Sequence, residues 1–131
     1  MRDLLCDEFQ NAVSETLIRH KSILDVLTKF QEATARVNRA VAKAVTSCGC
    51  LRINAAKQEL PEGLSLQELR ERLPCHLEGR LCDACAEALE EEIGNHLYFL
   101  AALCNVLDLN VFDILLKEHK KVSTLGVFNI S

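Results

Sequence analysis

Two pairs of cysteines carry the chemistry that this sequence offers most plainly. Cys48 and Cys50 flank a single glycine in "AVAKAVTSCGCLRI", and Cys82 and Cys85 form a C-x-x-C in "GRLCDACAEALEEE". Thiolates are the softest protein ligands and suit Zn(II) or, less readily, an iron–sulfur cluster. A C-x-x-C at a helix start brings its second thiol alongside the first within one turn, where unpaired amides favour thiolate charge. The other pair stands where a helix ends, and Gly49 can take the left-handed conformation that reverses the chain. If the helices on either side run antiparallel, both pairs meet at one end of the bundle as a four-thiolate structural site. A reversible disulfide and unligated thiols are the competing readings. Cys75-His76 offers a substitute ligand or, after Pro74, simply a turn. Cys6 and Cys104 lie in helical apolar patterns and read as small core residues.

The second chemical stretch is acidic, "EALEEEIGNHLYFLAALCNVLDLNVFDILLKEHKK". Glu92 and Asn95 are three residues apart and Glu92 and His96 four, so on a helix each pair shares a face. Carboxylates that face another helix make a hard-cation site suited to Mg(II) and, through it, to phosphates. From Glu92 to Leu115 the chain resembles the MazG-like nucleotide pyrophosphohydrolases, the all-α NTP pyrophosphatase superfamily. That family carries an E-x-x-D motif before an apolar run, a short turn and a further helix. Its earlier E-E-x-x-E motif has its best match in "QEATA" at 31–35, and the resemblance spans about 21–46 and 86–120. It implies an all-α fold, assembly as a homodimer or a tetramer built from dimers, and Mg(II) held by Glu32, Glu92 and Asn95. It also implies Glu91 or His96 as the base in hydrolysis of a nucleoside triphosphate to monophosphate and pyrophosphate. The sequence departs from the family at Asn95, Gln31 and Ala35, where carboxylates would stand.

The elements that must position these groups are helical. Apolar residues recur with helical spacing over 3–20 (Leu4, Leu5, Phe9, Val13, Leu17, Ile18) and over 22–46, an Ala-rich stretch without Gly or Pro. A second long helix is expected over 83–105, with Ile93, Leu97, Leu100, Cys104 and Leu107 stepping along one inward face. Gly94 inside it suggests close packing or the close approach of a ligand. After a turn, 111–121 forms a last helix that Asn110 or Asp108 can cap. Between the long helices, 47–81 holds both prolines and three of the five glycines. There Ser65 and Glu68 form a capping box that opens a short helix, which Pro74 ends. The expectation is an all-α bundle of four to five helices in one domain, 1–131, with this Cys-bearing excursion inserted.

Composition narrows the function classes. At 131 residues, 49% hydrophobic and 26% charged, the chain has the make-up of an ordinary globular domain. A net charge of −4 argues against nucleic acid as a partner. "KEHKK" at 117–121 reads as the solvated end of a helix. No apolar run is long enough to span a membrane. The opening residues lack a secretory core, which makes the cytoplasm the expected compartment. Seven cysteines there point to metal or redox chemistry rather than to a disulfide framework. The few helices and the apolar tail "TLGVF" call for cover from a second chain. Two functions stand side by side: a divergent MazG-like protein that binds or hydrolyses a nucleotide, and a non-enzymatic metal-binding protein for structure, sensing or interaction.

Overall fold

The computed structural model describes residues 2–18 and 21–125, with the side chains of residues 2, 3 and 125 left aside. Among the described residues it is an all-α bundle of five helices: α1 (Arg2–Thr16), α2 (Ile23–Lys43), α3 (Leu66–Arg72), α4 (Asp83–Val106) and α5 (Val111–Leu125). A two-stranded sheet, β1 (Leu51–Ile53) with β2 (Leu77–Gly79), interrupts it. Of the apolar tail "TLGVF", Thr124 and Leu125 end α5, and the remainder of the expected contact lies outside the described residues.

The main pair is α2 with α4. Ser22 caps α2 by accepting the Leu24 amide at 3.3 Å. Arg36 meets Glu92, Thr34 meets His96 and Cys48 meets Cys82, so the two helices run antiparallel. α1 packs on the C-terminal half of α4. Thr16 hydrogen-bonds Tyr98 at 2.8 Å, and the Asn105 side chain donates to the Gln10 carbonyl at 3.0 Å. Gln10 is buried, and its amide grips the α4–α5 turn from both sides. Its Nε2 donates to the Leu109 carbonyl at 2.7 Å, and its Oε1 accepts the Val111 amide at 2.8 Å. Asn110, rather than Asp108, caps α5 by accepting the Asp113 amide. α5 departs from α4 at 106°.

The core is narrower than the apolar pattern suggests. Val13, Val26, Ala101 and Ala102 form its buried centre, with Leu17, Tyr98, Phe99, Leu103 and Val111 packed around them. Cys104 is buried as expected, but Ile93, Leu97 and Leu107, placed inward from the sequence, are largely exposed. Leu4, Leu5 and Ile18 are exposed as well. A side chain at Gly94 would meet nothing within 4 Å, so close packing against the described chain does not account for that glycine. No single described helix is long and apolar enough to cross a membrane.

The excursion keeps its expected capping box. The Ser65 hydroxyl accepts the Glu68 amide at 3.2 Å and hydrogen-bonds the Glu68 carboxylate at the same distance. What the sequence did not announce is that the excursion's two roots pair as antiparallel strands, with Leu51 opposite Gly79 and Ile53 opposite Leu77. Three-residue strands are too short to show an alternating pattern.

Candidate metal centre

The end of α2 does not simply stop. Its last turn, Ala44–Cys48, widens into a π-helical turn, a form found mostly as single turns near functional sites. Gly49 then adopts φ +79°, and its amide closes the turn on the Ala44 carbonyl at 2.9 Å. This reversal sends the chain into β1 and leaves Cys48 and Cys50 on either side of the corner. Across the sheet, Gly79 sits at φ +86° with its Cα against the Cys50 carbonyl, where an added Cβ would collide. Arg52 and Glu78 pair across the strands at 3.6 Å. The chain then enters α4 at Cys82, which is itself the cap: its sulfur accepts the Cys85 amide at 3.4 Å.

These pieces bring Cys48, Cys50, Cys82 and Cys85 together, with all four Sγ atoms within 4.8 Å of one another. All seven cysteines are free thiols. Cys48 Sγ lies 3.7 Å from Cys82 Sγ, close to the ~3.8 Å edge of a sulfur tetrahedron drawn with Zn–S bonds of about 2.3 Å. The four thiols can therefore hold a metal ion. Cys75 and His76 lie outside this group and serve as turn residues. His76 stands at φ +65°, and its carbonyl accepts the Asn54 amide at 2.9 Å.

The cluster is electrostatically uneven. Cys82 is lowered to about 7, first by the Cys85 amide and then by the thiols of Cys85 and Cys48. Cys85 is pushed up to about 12, because its thiol donates toward Cys82 and Cys48 and is desolvated. The Cys50 amide pulls Cys48 down, but its contacts with Cys82 and Cys50 and its own desolvation leave it raised. The Cys82 proton leaves most readily, and those of Cys48 and Cys85 are held more tightly.

The acidic set is arranged differently. Glu92 and Glu32 do approach across the α2–α4 pair, but they meet on a guanidinium. Arg36 Nε lies 3.3 Å from Glu92 and Arg36 Nη1 lies 3.4 Å from Glu32, which Lys29 also pairs at 3.7 Å. Arg36 is raised in turn, by Glu92 first and Glu32 second. His96 bonds Thr34 at 2.9 Å and stacks near Phe30 at 4.7 Å rather than engaging Glu92. Asn95 is half-buried, and Glu91 is exposed. Beside them a groove of about 740 Å³ opens between the two helices, lined by Arg36, Arg39, Lys43 and Glu91 and closed at one end by Cys48 and Cys85. The sequence reading missed these three cations. Their signal is the i, i+3, i+7 spacing in "RVNRAVAK", which sets them on one side of α2.

Compared with known proteins, the chain matches no family model, no curated protein and no solved structure.

Proposed function

We propose that this chain is a metal-binding helical-bundle protein whose Cys48, Cys50, Cys82 and Cys85 hold one Zn(II) in a structural role. The observation that carries this reading is the convergence of four thiols within 4.8 Å from two helix ends and a strand root. Four thiolates fill a tetrahedral ion and leave no position for water or substrate, which is the arrangement of a structural centre. The ion would fasten the end of α2 to the start of α4 and hold the excursion at both roots. An iron–sulfur cluster competes for the same four ligands. A reducing compartment such as the cytoplasm keeps the thiols available. Elemental analysis of protein purified without added metal tests the reading. One zinc per chain, without the visible absorption of an iron–sulfur cluster, is expected. Metal-free protein with either intact thiols or a Cys–Cys disulfide would overturn it.

The groove supports a second reading, that of a divergent MazG-like protein that binds a nucleoside triphosphate or a related phosphate. Arg36, Arg39 and Lys43 line one wall and present the charge that phosphates seek. The oxygen ligands expected for Mg(II) do not fit that ion as they stand: Glu32 and Glu92 share a guanidinium, and Asn95 is neutral. The reading is therefore of phosphate binding, and no hydrolytic step is drawn through Glu91 or His96. Calorimetric titration with ATP and with inorganic triphosphate, with and without Mg(II), decides it. Binding that Arg39→Ala and Lys43→Ala abolish is expected. No heat from either ligand, and no pyrophosphate released from a panel of nucleoside triphosphates, would end it.

A further inference from the structure

The four clustered thiols differ in their access to solvent. Cys48 is exposed, whereas Cys50, Cys82 and Cys85 are half-buried. The exposure of Cys48 has a local cause. It is the last residue of the π turn, and Gly49 at φ +79° turns the chain aside, so no further helical turn covers it. Cys48 and Cys85 also line the groove between α2 and α4, which gives a small solute a path to the corner.

The sulfurs differ in their partners as well. Cys50 Sγ donates toward the Ala44 carbonyl at 3.7 Å, and Cys82 Sγ accepts the Cys85 amide at 3.4 Å. Cys48 Sγ and Cys82 Sγ face each other at 3.7 Å from positions 34 residues apart in the chain. A disulfide bond measures about 2.05 Å, so these two sulfurs need to close by less than about 2 Å to form one. A disulfide within either cysteine pair would join near neighbours and leave the helix ends unconnected. A bond between Cys48 and Cys82 would join the end of α2 to the start of α4, the same two ends that a bound ion joins.

We propose that the corner is also an oxidation site, at which hydrogen peroxide converts Cys48 and Cys82 into a disulfide and the metal ion is expelled. This rests on the reading of the four thiols as a Zn(II) site. The Cys48 thiolate attacks one peroxide oxygen, the O–O bond breaks, and Cys48 becomes a sulfenic acid as hydroxide leaves. The Cys82 thiolate then attacks the Cys48 sulfur, forms the S–S bond and displaces a second hydroxide. Two protons from solvent convert the hydroxides to water. The two thiolates supply the two electrons that reduce the peroxide. Zn(II) has no redox chemistry of its own; it keeps its charge and departs once two of its four ligands are gone. The corner thus has two fastened states, ion-bound when reduced and cross-linked when oxidised.

The test uses the full chain, its zinc content first measured by elemental analysis, treated with hydrogen peroxide beside a chromogenic zinc chelator. One ion per chain should reach the chelator as two of the seven thiols are lost. After alkylation and trypsin digestion, the peptide 44–52 should be joined to 81–117. Fragmentation should place the bond between Cys48 and Cys82 and find Cys50 and Cys85 alkylated. Dithiothreitol with added zinc should restore the metal. The oxidised chain should melt above reduced chain stripped by a chelator, because the cross-link holds ends that the stripped chain leaves free. Cys75→Ser, at an exposed thiol outside the cluster, should change neither the release nor the mapping. Zinc that stays bound under peroxide, release that requires sulfinic or sulfonic acid at Cys48, or a disulfide confined to Cys82 and Cys85 would overturn the inference. Each of these leaves the zinc of untreated protein, and with it the metal reading, in place. Untreated protein without zinc would remove that reading and this inference together.

Discussion

The thiol corner and the carboxylate patch are built by the same two helices, yet they resolve their convergence in opposite ways. At the carboxylate patch, Glu32 and Glu92 meet on Arg36, so the chain supplies its own counter-charge. At the corner, four thiols meet with no cation of the chain among them. The Cys85 amide and then the thiols of Cys85 and Cys48 lower Cys82, and their contacts with Cys82 help to leave Cys85 and Cys48 raised. Convergence alone therefore does not mark a candidate metal site; what differs here is whether the chain supplies the counter-charge. The thiol corner could hold a metal ion, whereas the carboxylate patch has Arg39 and Lys43 beside it.

The largest effect that would break this contrast is loss of the centre itself. Cys82→Ser removes both a ligand and the cap of α4. Metal content should fall from one ion per chain to near zero, and the melting temperature should drop by at least about 10 °C. Retention of both would return the corner to the standing of the patch. The pH dependence of metal binding comes next. Each ligating thiol must lose its proton, so affinity falls as pH falls. Cys82, already at about 7, contributes little above neutrality, whereas Cys85 at about 12 and the raised Cys48 must both be deprotonated by the ion. Competition titrations between pH 7 and 8 should show at least about a 100-fold gain per unit, and a flat profile would mean that few thiols ligate.

Gly79→Ala probes the corner more gently. It places a Cβ against the Cys50 carbonyl in a left-handed conformation and should cost about tenfold or more in metal affinity. Gly63→Ala carries a similar backbone strain in open space and should leave the affinity alone. The smallest effect belongs to the patch. Arg36→Met with Asn95→Asp strips out the guanidinium and adds a carboxylate. Because Arg36 is exposed, the melting temperature should hardly move, while calorimetry should detect Mg(II) binding absent from wild type. If the variant also ignores Mg(II), the missing Asp and the present Arg are not what separates this patch from a cation site.

The long helices, the capping box and the cysteine pairs were readable because each rests on local spacing. The thiol cluster followed from the helix ends only on the condition that α2 and α4 run antiparallel, which their contacts supply. The π turn at Ala44–Cys48 and the three-residue strands were not readable, since the corner rests on contacts between residues distant in sequence, such as Gly79 against Cys50. Arg36 escaped attention because a guanidinium on a helix reads as solvated surface until its two carboxylate partners are placed. Gln10 escaped for the same reason, as its partners Leu109 and Val111 lie about a hundred residues away. Ile93 and Leu97 followed the apolar period faithfully. Periodicity marks an apolar face, but it does not tell whether the rest of the fold reaches it, and both residues stay exposed.

The groove and the thiol corner have Cys48 and Cys85 in common, and shared walls make two sites thermodynamically dependent. A ligand whose fit in the groove varies with the separation of the α2 and α4 ends perceives whether an ion holds those ends together. By linkage, any factor by which the ion tightens that ligand is the factor by which the ligand tightens the ion. Depletion of metal would then register at the groove as weakened retention, with no domain in motion and only the distance between two helix termini as the messenger.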